Sequence, residues 1–251
     1  MTRFPALVLI SVALAACHHG DDTRPEPGKQ NRSIEKTVGK LLDGDWRTPA
    51  SIARDPLRHP AATLAFLAIE PSMTVLEIRP GDDGYADLLA PYLRKHGRYI
   101  AAVDYPASLG DDQTRASATE RNRLLRDAFA AHPDEYASAS VIEFSAAAPE
   151  LGPPQSVDAV LSVDDAHAWI AAGNDARMFE AIFEVLKPGG VFGLIDARTA
   201  DGAAVRSGGA LSEQQVIGLA LKAGFRFDQR SEINAGAPND RMTLRFAKPA
   251  E

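Results

Sequence analysis

The sequence has a single cysteine, Cys17, among 251 residues, so no disulfide can form within the chain. A domain of this length can be held by its core alone. Positive charge is also short: 27 lysines and arginines stand against 34 aspartates and glutamates, a formal net charge of −7. Phosphates would be repelled, so nucleic acid is not expected as a partner. The apolar run Phe4 to Ala16 falls short of the roughly 20 residues a helix needs to span a bilayer. There is no internal repeat and no sign of a second folded domain. With 45% hydrophobic and 24% charged residues, the remainder reads as an ordinary globular chain.

The short apolar run has the form of an export signal. Arg3 supplies the positive start, and Leu14-Ala15-Ala16-Cys17 places small residues before the cysteine. This ending resembles the bacterial lipobox, and the resemblance implies cleavage before Cys17 and acylation of Cys17. Residues 1–16 are then a lipoprotein signal peptide. Residues 17–33, polar and carrying Pro25, Pro27 and Gly28, are expected to be a flexible tether. The folded domain is expected over 34–251, exported to the periplasmic side of a bacterial membrane. Its only membrane contact would be the lipid anchor.

Helical spacing of Ile34, Val38, Leu41 and Leu42 opens that domain, and a second helix is expected over Pro60 to Leu67. Strands and helices then alternate. The apolar runs at 74–78, 99–103, 140–144, 159–163 and 191–195 read as strands, with helical patterns between most of them. Pro91, inside the helix after the first strand, should kink it or interrupt its hydrogen-bond ladder. Lys187-Pro188-Gly189-Gly190 should stop another helix and turn into the fifth strand. Two last strands, 225–233 and 242–246, are joined by a polar turn, which favours antiparallel pairing. The expected class is α/β: a doubly wound, mostly parallel seven-stranded sheet with a C-terminal antiparallel hairpin.

In such sheets ligands bind outside the carboxyl ends of the strands, where strand order reverses. Gly81 and Gly84, in the turn after the first strand, would let backbone approach a ligand. Asp104 ends the second strand, the place of an acid that holds ribose hydroxyls. His167, just past the fourth strand, is placed for a general base. It equally suits a ring bonded to a backbone carbonyl beside Trp169. Asp164, Asp165 and His167 offer atoms a divalent cation accepts, but no third carboxylate lies nearby in sequence, so no metal is expected. His59 with Arg54 and Arg58 could cover a pocket, or form a charge cluster where a helix begins.

The ordered pieces Val75-Leu76-Glu77-Ile78-Arg79-Pro80-Gly81, Asp104, Val157-Asp158-Ala159-Val160-Leu161 and Leu186-Lys187-Pro188-Gly189-Gly190-Val191 resemble a class I S-adenosylmethionine-dependent methyltransferase. Arg58-His59-Pro60, His167 with Trp169, and Asp240-Arg241-Met242 fit the narrower group of predicted methyltransferase-like proteins with signal peptides. The resemblance implies a Rossmann-like methyltransferase fold and S-adenosylmethionine as cofactor. It implies that Gly81, Asp82 and Gly84 lie under the methionine part, Glu77 steadies that loop, and Asp104 accepts the ribose hydroxyls. Asp164 or Asp165 would face the methionine amino group or the substrate. The family's turn favours glycine where this chain has Arg79. The expected function is methyl transfer to a small acceptor by an envelope-anchored lipoprotein. The alternative is a non-catalytic lipoprotein that keeps the fold and binds a small ligand.

Overall fold

The computed structural model describes residues 27–81, 84–199, 210–236 and 240–250. The signal 1–16, Cys17 and Asp82 lie outside the described residues. The strands are β1 (Thr74–Ile78), β2 (Arg98–Asp104), β3 (Ala139–Phe144), β4 (Val157–Val163), β5 (Leu186–Ala197), β6 (Arg226–Ser231) and β7 (Arg241–Ala247). They form one seven-stranded sheet in the order β3-β2-β1-β4-β5-β7-β6. Pairing is parallel from β3 to β5, and β7 runs antiparallel to both β5 and β6. This is the mostly parallel sheet and closing hairpin read from the sequence. Strand order reverses between β1 and β4, which opens a crevice at their carboxyl ends.

The central strands are apolar along their length because both faces are covered. Val75, Ala159 and Leu161 enter one core layer, while Leu76, Ile78 and Val160 enter the other. The first layer is roofed by α1 (Pro27–Gly39), α4 (Pro60–Phe66), α5 (Ala86–Leu93) and α6 (Asp112–Ala131). The second is roofed by α7 (Ala166–Ala171), α8 (Asp175–Val185) and α9 (Glu213–Lys222). Two single turns, α2 (Pro49–Ile52) and α3 (Asp55–Arg58), link α1 to α4.

Two local expectations change and one holds. Helix α1 begins at Pro27, inside the stretch assigned to the tether, so the tether cannot extend to residue 33. Ile34 and Val38 are buried, and Gln30 bonds Glu70, so burial of one face holds the upstream polar turn in the helix as well. Helix α5 runs on through Pro91 with its hydrogen-bond ladder interrupted there, as expected. A proline there leaves the Asp87 carbonyl without its helical donor, and Trp46 Nε1 supplies one at 2.7 Å. Lys187 to Gly190 belong to β5 instead of a turn. Gly189, at φ 77°, donates to the Lys248 carbonyl at 2.9 Å, and Lys248 donates back to Gly190 at 2.9 Å. The β4–β5 register shifts between Val157 and Ala159 to absorb this segment.

Candidate functional site

The site begins where β1 ends. Arg79 takes a left-handed backbone, φ 43°, and its amide donates to the Ala102 carbonyl on β2 at 2.7 Å. The chain then bends back, with the Gly84 amide donating to the Gly81 carbonyl at 3.0 Å. Glu77 lies beneath this bend. Its Oε1 accepts the Tyr85 amide at 2.7 Å and its Oε2 accepts the Tyr99 hydroxyl at 2.6 Å. Burial pushes the Glu77 carboxyl up to about 7, against the lowering effect of those two bonds. Gly84 is required by close approach: a Cβ there would sit 2.9 Å from Glu77 Oε1 and 3.0 Å from Pro80 Cα.

The bend is also held from outside the sheet. Buried Arg58 donates to the Gly84 carbonyl. Its Nη2 lies 3.0 Å from Asp55 and 3.5 Å from Asp87, and Arg47 pairs with the same two carboxylates at 2.8 and 2.7 Å. Arg58 is therefore a structural clamp and not an exposed anion receptor. His59, left-handed at φ 41° between α3 and α4, lines neither cavity described below.

Asp104 ends β2, and its carbonyl accepts Asn122 Nδ2 of α6 at 2.8 Å. Its carboxylate stands 3.5 Å from Arg121 Nη2 and 3.9 Å from Arg79 Nη1. Arg79 also reaches across to the turn after β4, where its Nε and Nη2 meet Asp165 Oδ1 at 2.6 and 2.5 Å. Burial raises the Asp165 carboxyl above its ordinary range, with the Arg79 contact acting in the opposite sense. Asp164, left-handed at φ 57°, pairs with Arg241 of β7.

His167 rests on a carboxylate instead of a backbone carbonyl. Its Nδ1 is 3.0 Å from Asp196 Oδ1, and its amide donates to Asp196 Oδ2 at 3.2 Å. Asp196 is fully buried at the end of β5, while the His167 side chain is 34% exposed. Arg198, two residues on, pairs with Glu213, Glu232 and Asp240. Among the described residues, no group of three metal-ligating side chains is gathered at one point.

Two adjoining cavities mark the crevice. The larger, about 390 Å³, is lined by Arg79, Gly81, Gly84, Arg121, Val163, Asp164, Asp165, His167 and Ala168. The smaller, about 30 Å³, lies where Gly81, Asp104 and Arg121 meet. Arg79 borders both. Glu77, Gly81, Gly84 and Asp104 are thus gathered at one end of β1 and β2, and Gly81 and Asp104 share a recess. That recess has room for a water or two and not for a ribose. With the Arg79 guanidinium in place, S-adenosylmethionine does not fit between Asp104 and Asp165.

The role of Asp196 under His167 and the presence of Arg121 were not read from the sequence. Asp196 carried a usable signal, an acid at the carboxyl end of a central strand, the same rule that selects Asp104. Arg121 carried none, being one basic residue among several on a polar helix. No protein-family model matches the chain, and no curated protein matches it in sequence.

Solved structures do match. A SAM-dependent methyltransferase from Aquifex aeolicus superposes with a TM-score of 0.57 at 17% identity, over 90% of this chain and 100% of that one. A SAM-dependent methyltransferase from Methanosarcina mazei gives 0.54 at 14% identity, over 73% and 95%. The 4+2 cyclase SpnF gives 0.57 at 13% identity, over 90% and 97%. One fold therefore carries different chemistries among these neighbours, so likeness of fold does not assign a reaction. What the likenesses establish is architecture: this chain has the Rossmann-like fold of the SAM-dependent methyltransferases.

Proposed function

We propose that this protein is an S-adenosylmethionine-dependent methyltransferase for a small acceptor, held in a bacterial envelope by a lipid on Cys17. The observation that carries the catalytic part is the Glu77-supported bend at Gly81–Gly84. It shares a recess with Asp104 at the strand-order reversal and adjoins the cavity lined by His167. Arg79 has to leave the gap between Asp104 and Asp165 before the nucleoside can enter. Bound there, S-adenosylmethionine would supply the methyl group.

The chain's own residues then have separable tasks. Asp104 accepts the ribose hydroxyls, and the glycines of the bend admit the ligand to backbone. Asp164 faces the methionine amino group or the acceptor. Alignment of donor and acceptor is the main contribution a protein makes to such a displacement. Where the acceptor must lose a proton, His167 takes it at Nε2, because Nδ1 is engaged by Asp196. Asp196 is the positioning residue. It fixes the ring and stabilises the charge that the ring acquires.

Calorimetry of the full chain, purified in detergent, tests this reading with S-adenosylmethionine and S-adenosylhomocysteine. Saturable binding that Asp104→Ala abolishes supports it. Absence of heat from either ligand at millimolar concentration removes it. A second reading, a binding lipoprotein without methyl transfer, is favoured by the ion pairs that Arg79 makes across the recess. It is supported if chain purified from membranes retains a different small ligand, identified by mass spectrometry.

A further inference from the structure

We propose that Arg79 is a proton-gated latch on the strand-end crevice: it leaves Asp165 as that carboxylate takes up a proton, so the crevice is shut at alkaline pH and opens as pH falls. The inference concerns access to the crevice and does not depend on which ligand enters it.

The latch follows from geometry. Asp104 ends β2 and Asp165 follows β4, on opposite sides of the strand-order reversal. The Arg79 guanidinium lies between them and borders both the larger cavity and the recess at Asp104. Its grip is one-sided. Nε and Nη2 both meet Asp165 Oδ1, at 2.6 and 2.5 Å. Asp104 stands 3.9 Å away, beyond hydrogen-bond reach, and is already 3.5 Å from Arg121. The left-handed backbone at Arg79 costs a non-glycine residue energy and persists only when contacts enforce it. The Arg79 side chain is 29% exposed and has a way out to solvent, whereas Asp165, at 5%, does not.

Charge couples the two residues. Asp165 is faced by Arg79, by the Ser162 hydroxyl at 3.4 Å and, at longer range, by the carboxylates of Asp104 and Asp196. Asp196 is itself buried against His167, and Asp164 pairs with Arg241. The positive charge against Asp165 is therefore that of Arg79. Burial raises the Asp165 carboxyl to about 7 although Arg79 pulls the other way. When Arg79 withdraws, that pull is gone, and a buried carboxyl facing two others takes a proton in preference to staying charged. The open form thus binds one proton more than the closed form, and linkage makes opening easier as pH falls. Ionised Asp165 holds the latch shut. Protonated Asp165 retains Ser162 as a partner and releases the guanidinium.

Phenylglyoxal, which modifies accessible guanidinium groups, reads the position of the latch. The full chain in detergent is labelled between pH 6 and 8.5, and modification of Arg79 is followed by peptide mass spectrometry. Dividing its rate by that of Arg79 in urea-unfolded chain at each pH removes the reagent's own pH dependence. Protection of Arg79 is expected to fall as pH drops, by up to about tenfold per pH unit where Asp165 is ionised, as one proton per opening requires. Asp165→Asn copies the protonated carboxyl in shape and charge, so its Arg79 should be labelled at every pH as fast as wild type at pH 6. Flat protection of Arg79 in wild type overturns the proposal. So does a pH dependence that survives in Asp165→Asn, since His167 would then be its source. A parallel loss of protection at Arg226, on the edge strand β6, would mark general loosening and overturn it too. If Asp165→Asn fails to melt cooperatively, the carbon-13 resonance of the Asp165 carboxyl in wild type takes its place. It must titrate with the midpoint of Arg79 protection, and a different midpoint sinks the latch.

Discussion

Glu77 takes its two hydrogen bonds from neutral donors, the Tyr85 amide and the Tyr99 hydroxyl, and burial holds its carboxyl near 7. Its folded value lies above its unfolded one, so the native state binds more protons between about pH 4.5 and 7. Glu77 therefore favours folding fully below that window, and the contribution is lost as pH rises through it. Replacing it with glutamine should flatten this part of the stability–pH curve, by up to roughly 3 kcal/mol across the window. Denaturant melts of wild type and Glu77→Gln at pH 5, 6, 7 and 8 measure the difference. Gly84 gives a sharper steric test. Gly84→Ala places a methyl against Glu77 and Pro80 and should destabilise by about 1–3 kcal/mol in the same melts. These positions were legible because turn glycines and strand-end acids follow local rules. The contacts of Arg79 with Asp165 and of His167 with Asp196 were not, since they join residues 86 and 29 positions apart in the chain.

At the scale of elements, α5 shows how a helix tolerates an interior proline. Pro91 has no amide to offer the Asp87 carbonyl, and the indole of Trp46 donates in its place at 2.7 Å. Trp46→Phe keeps most of the apolar bulk and strands that carbonyl. It should cost about 1–3 kcal/mol, read from the denaturation midpoint. A Trp46→Phe/Pro91→Ala double variant should recover part of the loss, because alanine restores the helical amide. The interrupted ladder was legible because a proline's damage is local, whereas its remedy comes from a residue 45 positions earlier and was not. The central strands posed no such difficulty: apolar cover on both faces writes itself as continuous apolar runs. The start of α1 was hidden for the opposite reason. Its first turns are polar, and only the buried pair Ile34 and Val38 downstream commits them to a helix.

The whole molecule combines an acidic α/β domain with an N-terminal stretch that reads as a lipoprotein signal, and no helix among the described residues is long and apolar enough to cross a membrane. The anchor proposed above is a lipid on Cys17, and it can be tested directly. In a bacterial host, wild-type chain should incorporate labelled fatty acid and sediment with membranes. Cys17→Ser should do neither, and equal sedimentation of the two would refute the anchor. The remaining long-range link is the cluster in which Arg47 and Arg58 meet Asp55, Asp87 and the Gly84 carbonyl. Both arginines precede β1 in the chain, so a growing polypeptide exposes them well before Gly84 and Asp87 exist. The bend can be bolted only after β1 and α5 have come back to meet them, and a truncation that removes residues up to Arg58 would leave the bolt missing from an otherwise complete sheet.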